Sequence, residues 1–183
     1  DGHDDESDTI VCDGGDVLYT GRHLFVGLSS RTNRKAVDVL KNTFGFYDDD
    51  DDDVGDDVHS SNKTVVAVEP KAFADDALHL KSVVTAVDSR TLLAPTGAVG
   101  DQVLKEMGAY EKGYDVVRLP SMLACNVVSA NGGLLAQDGG CSESKSIVEN
   151  MAKTKGLDLR WVDCSELAKA DAALTCCSVL LNV

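Results

Sequence analysis

SVVTAVDSRTLLAPTGAVGDQVLKEMGAYEKGYDVVRL, residues 82–119, carries the pattern that decides the fold. Two short runs rich in β-branched and apolar residues, 82–87 and 92–94, have the composition of strands. The segment 98–107 then repeats apolar residues every four positions and stops at a glycine, which predicts an amphipathic helix. A further apolar run, Asp115–Leu119, follows. The stretch therefore predicts a unit of two strands, a helix and a strand.

The same order of elements occurs on both sides of this stretch, with helices predicted at 32–44 and Ser142–Lys155. The flanking strands are predicted at Val17–Tyr19, 24–26, Thr64–Val68, 126–130, 134–136 and 159–162. Three copies at a spacing of roughly 50 residues predict a propeller-like α/β array, in which strands line a central axis and helices cover the outside. A last strand, 176–182, stands alone. Since such arrays close only when every unit is present, we expect the natural chain to continue N-terminally.

The composition favours one soluble domain. The chain has 183 residues, of which 43% are hydrophobic, enough for one sizeable core. It has no apolar run of the ~18 residues that a membrane span needs and no signal-peptide pattern at its start, so we expect a cytoplasmic protein. A net charge of −14 argues against nucleic acid or anionic membranes as partners. Six cysteines without paired spacing are expected to be reduced thiols.

An acidic insertion at residues 48–58 contains most of the aspartates in this part of the chain. Like charges at this density repel one another and stay solvated, which predicts a disordered surface segment. Calcium binding by an EF-hand loop is disfavoured, because the segment has no glutamate for the twelfth loop position.

The chain has four histidines, so few residues of this type can act as a catalytic acid or base. His3 and His59 lie in polar or acidic segments and are expected to face solvent. His23 alternates with an apolar residue on a short strand, which favours a structural role. His79 stands between an acidic loop and an apolar strand, where scaffolds present functional groups, although one histidine alone is as well explained by a structural role.

Cys176 and Cys177 begin the last predicted strand. Adjacent strand residues point to opposite faces, so one thiol is expected in the core and the other in a central cleft. Two buried cysteines are the alternative. A Cys–His couple needs a third group to orient the imidazole, and Asp13 is a candidate. It precedes two glycines, where the backbone can turn tightly and let another group approach, although an ordinary turn explains the same residues.

Six segments in this order resemble dimethylarginine dimethylaminohydrolases, from about residue 9 to the end of the chain. They are DGGDVL (13–18), TGR (20–22), FVGLS (25–29), RTN (31–33), LHLKS (78–82) and LTCCSVL (174–180). The resemblance implies a pentein fold, a propeller of five ββαβ units, of which about three are present here. It also implies a single partial pentein domain over residues 1–183.

Carried over residue by residue, the resemblance implies that Cys176 is the nucleophile, His79 the general acid and base, and Asp13 the carboxylate that orients the imidazole. It assigns Arg31 to the substrate α-carboxylate and places Ala170 and Asp171 beside the substrate. The acidic residues that grip the guanidinium in the family, and a second arginine, lie in the N-terminal part that this sequence lacks.

The implied reaction is hydrolysis of methylated arginine to citrulline and an amine through a covalent thiouronium. No cofactor and no metal site are expected, because the Cys–His pair offers zinc too few ligands for a catalytic site and such zinc would inhibit. Expected partners are the small-molecule substrate and either the missing N-terminal part or a second copy. Two alternatives stay open: a sibling arginine deiminase or amidinotransferase, and a truncated relative without catalysis.

Overall fold

Three small mixed sheets, each with a helix, make up the structure, a computed structural model that describes residues 9–48, 64–69 and 78–178. The strands are β1 (Val17–Tyr19), β2 (His23–Gly27), β3 (Tyr47–Asp48), β4 (Thr64–Val68), β5 (Thr85–Ala86), β6 (Thr91–Pro95), β7 (Asp115–Leu119), β8 (Val127–Ala130), β9 (Gly133–Gln137) and β10 (Asp158–Val162). The helices are α1 (Arg34–Phe44), α2 (Leu80–Val83), α3 (Ala98–Glu106), α4 (Ser142–Lys155) and α5 (Ser165–Ala168). Short 3₁₀ helices span Gly14–Asp16, Met122–Cys125 and Thr175–Cys177.

Each sheet repeats one topology. The first two strands of a unit pair antiparallel, and the last strand of the unit runs parallel to the second. In the first unit a short extra strand, β3, follows the helix and pairs with β4. The sheet orders are β1-β2-β4-β3, β5-β6-β7 and β8-β9-β10. The predicted repeat of strand, strand, helix and strand is therefore confirmed in all three copies.

Glycines end two of the long helices as the sequence predicted. The chain leaves α1 through Gly45 and α4 through Gly156, both in the left-handed region with φ of 65° and 68°. An L-side chain is disfavoured there, whereas glycine adopts this conformation at little cost and lets the last helical carbonyls find partners.

The units meet through two apolar cores, one on each side of β6. Leu92 packs with Phe25 and Leu104 in the core shared by the first two units, whereas Leu93 packs with Leu134 in the core shared by the last two. Consecutive strand residues point to opposite faces, so one strand serves both cores. The first strand of each unit lies beside the first strand of the next unit, so β5 contacts both β1 and β8. These strands surround a common axis, as a propeller requires.

Two predicted strands differ from the structure. The first part of 82–87 lies in α2, and only Thr85–Ala86 is a strand. Cys176 and Cys177 lie in a 3₁₀ helix and not in a strand, because backbone N–H groups there bond to carbonyls of the same turn, such as Cys177 N to Leu174 O at 3.3 Å. Residues 179–182 of that strand and nearly all of the 48–58 insertion lie outside the described residues.

Candidate active site

Asp13 begins the turn that forms one side of the site. Its Oδ1 accepts a 2.9 Å hydrogen bond from the Gly15 N–H and so caps the Gly14–Asp16 helix. Its Oδ2 lies 3.1 Å from Nε2 of His79, within ion-pair distance although the contact is not aligned as a hydrogen bond. The Gly15 N–H, followed by the charges of His79 and Arg31, holds the pKa of Asp13 below its usual value. Asp13 is therefore ionised beside the imidazole at neutral pH.

His79 stands at the N-terminal cap of α2 and is 5% exposed. Its ring lies directly against Gly15, where a Cβ added to the glycine would fall 2.5 Å from the imidazole Cγ. The absence of a side chain at Gly15 therefore makes room for the ring. The expected close approach of another group to the glycine turn is confirmed, and that group is His79.

Asp16 holds the Asp13 turn and the His79 segment together. It is fully buried, and its Oδ1 accepts the backbone N–H of Leu80, the residue after His79, at 3.0 Å. Its Oδ2 accepts the hydroxyls of Ser29 and Thr32 at 2.7 and 2.8 Å. A buried carboxylate needs such donors, because an unpaired one would be costly. This role was not predicted from the sequence, although the second aspartate of DGGD is a signal for it.

Arg31 lies on the solvent side of the same turn. Its Nη1 is 3.9 Å from Asp13 Oδ2, and its side chain is 52% exposed. A loose, exposed ion pair of this kind contributes little to stability, so the guanidinium can turn toward another carboxylate. The position suits an arginine that meets a ligand at the rim of the site.

Cys176 enters the site on the Thr175–Cys177 turn, which packs against the Gly14–Asp16 turn. Both Cys176 and Cys177 are exposed. The expectation that strand alternation buries one of them is therefore wrong, because a 3₁₀ turn does not alternate its side chains. Both thiols are free, as are the other four.

Lys81 brings a positive charge to this side of the site. It is half-buried and borders, with Thr175, a cavity of about 250 Å³. Burial lowers the pKa of its ammonium group. Nearby acidic groups oppose that shift, namely Cys176, Asp13 and Asp16. The lysine was not among the residues predicted from the sequence.

Ala170 and Asp171 follow the short helix α5. Asp171 has φ of 53°, a left-handed conformation that is uncommon for a residue with a side chain. It lines a second cavity of about 380 Å³ together with Ser82, Asn126 and Gln137. The structure therefore places Asp171 at a cavity that adjoins the site, whereas Ala170 is exposed and does not line it.

His23 has the structural role that the sequence favoured. It is 6% exposed, and its Nδ1 lies 2.7 Å from the Tyr114 hydroxyl.

Within residues 9–48, 64–69 and 78–178, no three His, Cys, Asp or Glu side chains are grouped as a metal site would require. None of the helices in these ranges is long and apolar enough to cross a membrane.

Comparison with known sequences finds several relatives. "Putative hydrolase DDAH2" from Homo sapiens is 28% identical over 97% of this chain, and its counterpart from Bos taurus is 30% identical over 97%. The matches cover 57% of each relative. No protein-family model matches the chain.

Solved structures with the same fold include three enzymes. A dimethylarginine dimethylaminohydrolase from Pseudomonas aeruginosa, a cysteine-to-serine mutant complexed with citrulline, has a TM-score of 0.61 at 18% identity, over 88% of this chain and 52% of that one. A dimethylarginine dimethylaminohydrolase with histidine replaced by glycine, as an adduct with S-methyl-L-thiocitrulline, has a TM-score of 0.62 at 19% identity over 88% and 53%. Agmatine deiminase from C. jejuni has 0.61 at 16% identity over 92% and 54%.

These matches agree with the repeat seen in the fold, three ββαβ units with their first strands around one axis. The chain spans about half the length of the relatives and solved structures that it matches. It thus has the α/β pentein fold with three of its propeller units, and it is similar in sequence to the proteins named DDAH2.

Proposed function

We propose that the chain carries the nucleophile side of an active site that hydrolyses Nω-methylated arginines to citrulline and methylamine or dimethylamine. The observation that carries this proposal is the contact between Asp13 Oδ2 and His79 Nε2, made possible by Gly15 and packed against the turn of an exposed cysteine, Cys176. An acidic group, an imidazole and a thiol in this order are the parts of a cysteine hydrolase site.

The first half of the reaction breaks the bond to the amine. The Cys176 thiolate forms a bond to the guanidinium carbon, and the tetrahedral intermediate collapses when His79 gives a proton to the departing amine. The product is a thiouronium on Cys176. Asp13, ionised beside Nε2, stabilises the imidazolium that this step consumes and holds the ring orientation.

The second half regenerates the thiolate. His79, now neutral, takes a proton from water, and the hydroxide attacks the thiouronium carbon. The carbon–sulfur bond breaks, the remaining proton of the added hydroxyl leaves to solvent, and citrulline departs with the ureido oxygen derived from water while His79 is left protonated. The proposed reaction uses no cofactor. Zinc held by Cys176 and His79 would block both groups and inhibit.

Residues at the rim of the site orient the substrate. Arg31 is exposed and only loosely paired, so its guanidinium can bind the substrate α-carboxylate in a fork of two hydrogen bonds. Asp171 and the neighbouring Ala170 border the substrate from the α5 side, and Asp171 faces the larger cavity. The residues that would grip the cationic guanidinium come from the part of the relatives that this chain does not span.

The test is citrulline formation from asymmetric dimethylarginine by the purified full-length protein, together with adduct mapping. We expect citrulline from the natural sequence and none from Cys176→Ser, and a mass-spectrometric adduct of S-methyl-L-thiocitrulline on Cys176. Cys141→Ser is the matched control, because Cys141 is an exposed thiol at the cap of α4 outside the site. No citrulline from any methylated arginine, with no adduct on Cys176, would refute the proposal.

The same assay distinguishes the proposed reaction from that of a related deiminase. The agmatine deiminase matches this fold as well as the dimethylarginine enzyme from Pseudomonas does, with a TM-score of 0.61 for both. Turnover of unmethylated arginine or agmatine, with none of dimethylarginine, would assign the chain to a deiminase with the same nucleophile.

A further inference from the structure

Two buried amide side chains hold the turn that carries Cys176. Asn126 accepts the Thr175 N–H at its Oδ1, at 3.0 Å, and its Nδ2 donates to Thr175 Oγ1 at 3.1 Å. Gln137 accepts the Leu174 N–H at 3.3 Å. Asn126 and Gln137 are each 2% exposed, so these bonds do not compete with water. The turn is therefore anchored to the third unit at the two residues before Cys176.

Asn126 also reaches the segment that carries His79. Its Nδ2 donates to the backbone carbonyl of Lys81, two residues after His79, at 3.2 Å. One side chain thus joins the second unit to the turn of the nucleophile. We propose that Asn126 is a positioning residue that fixes Cys176 relative to His79, an inference that rests on the proposed function and deepens it.

The chemistry of the amide explains why asparagine fits this position. The bridge needs an acceptor for the Thr175 N–H and a donor for the Lys81 carbonyl on one short side chain. Asparagine supplies both, whereas aspartate has no donor when ionised and leucine has neither. Gln137 contacts only Leu174 among these backbone groups, so it anchors the turn without joining it to the His79 segment.

The expected effect of losing the bridge is on the chemical step. A displacement of ~1 Å in a reacting group can slow a reaction by about 10²-fold, while affinity for the ligand depends on other residues. Asn126→Ala should therefore lower the limiting rate of adduct formation with S-methyl-L-thiocitrulline by about tenfold or more. The analogue concentration that gives the half-maximal rate should stay within about twofold, because Arg31 and Asp171 are untouched.

The matched control is Tyr114→Phe, a similar loss of buried hydrogen bonds at a residue that lines neither cavity. Tyr114 is 4% exposed, and its hydroxyl lies 2.6 Å from Thr20 Oγ1 and 2.7 Å from His23 Nδ1. Both variants should lower the melting temperature, but only Asn126→Ala should lower the limiting rate. Equal limiting rates in the two variants would overturn the proposal. If Asn126→Ala does not fold, Asn126→Asp keeps the acceptor for the Thr175 N–H and removes the donor to the Lys81 carbonyl, and an unchanged limiting rate in that variant would overturn the proposal.

A separate readout keeps this inference apart from the proposed function. If the natural sequence forms neither citrulline nor an adduct, the proposed function fails, and the positioning role is tested by iodoacetamide alkylation. Cys141 serves as the reference thiol in the same sample. A change of about threefold or more in the ratio of Cys176 to Cys141 alkylation, in Asn126→Ala but not in Tyr114→Phe, supports the role, because the reactivity of a thiol depends on its position relative to charged neighbours. The same ratio in both variants overturns it.

Discussion

Gly15→Ala tests the site at its most crowded point. The added Cβ would lie 2.5 Å from Cγ, 2.7 Å from Nδ1 and 2.8 Å from Cδ2 of the His79 ring. Carbon atoms in ordinary contact are ~3.5–4.0 Å apart, so the ring or the turn would have to move by about 1 Å. His79 is 5% exposed and has packed neighbours on its other sides, which leaves the ring no open direction.

Two losses follow from that displacement. Overpacking of a buried site costs about 1–3 kcal/mol of the free energy of unfolding. A shift of ~1 Å in the general acid and base slows the chemistry by about 10²-fold, whichever half of the reaction limits turnover. Gly15→Ala should therefore lose most citrulline formation and some of its thermal stability together.

The control is the neighbouring residue in the same 3₁₀ helix. A Cβ at Gly14 would meet nothing within 4 Å, so Gly14→Ala should keep its activity and its melting temperature. Citrulline formation and thermal unfolding, measured on both variants, give the comparison. Full activity and unchanged melting of Gly15→Ala would show that His79 does not lie where the structure places it, and the catalytic assignment would fail with it.

Three further changes address the thiols and the carboxylates. Cys176→Ser should form no adduct with a thiocitrulline analogue, whereas Cys177→Ser, at an exposed thiol, should change the free energy of unfolding by less than about 0.5 kcal/mol; a larger loss would mean that Cys177 is buried. Asp16→Ala leaves three donors without their acceptor and should cost about 1–3 kcal/mol in denaturant unfolding; unchanged stability would contradict the hydrogen bonds assigned to it. The pKa of Asp13 is lowered by the Gly15 N–H and then by His79 and Arg31, so ionised Asp13 stabilises the fold above its ordinary pKa of 3.8, and that contribution is lost as the pH falls through the lower folded value. Asp13→Asn should therefore lose less stability than the natural sequence between neutral pH and pH 3, as followed by thermal melts; equal losses would show that Asp13 is not the group that titrates.

The repeat could be predicted because most helices and strands form where the local sequence pattern favours them. The predicted helix Ser142–Lys155 matches α4, and β1, β4 and β7 match their predicted bounds. Glycine in the left-handed region ends α1 and α4, and it is visible in the sequence as a stop after an apolar period.

The turns that carry His79 and Cys176 could not be predicted in this way. Apolar or β-branched runs, 83–85 and 179–181, begin within four residues of each, which favours strands when judged from the sequence alone. Hydrogen bonds from distant parts of the chain override that preference: Asp16 accepts the Leu80 N–H, and Asn126 accepts the Thr175 N–H. A one-dimensional pattern does not contain such partners, so the elements that present His79 and Cys176, the proposed catalytic groups, were predicted wrongly.

The resemblance to a family located Asp13, His79 and Cys176, and the structure brings the segments of all three together. It did not locate the residues that hold them. Asp16 and Asn126 have polar side chains that are common at surfaces, and their burial becomes visible only in three dimensions. Sequence motifs indicate the residues that react. The residues that hold them in place are recognised from their hydrogen-bond partners in the structure.

The nucleophile turn comes after the third unit, while Asp13 precedes the first and His79 precedes the second strand pair. Contacts between groups so far apart in the chain form late in folding, because closing long loops must precede them. During synthesis the imidazole and its aspartate can meet before Cys176 has been added to the chain. The proposed proton-transfer pair can therefore meet the proposed nucleophile only after the third unit has been synthesised, which keeps the reactive combination out of partly folded forms.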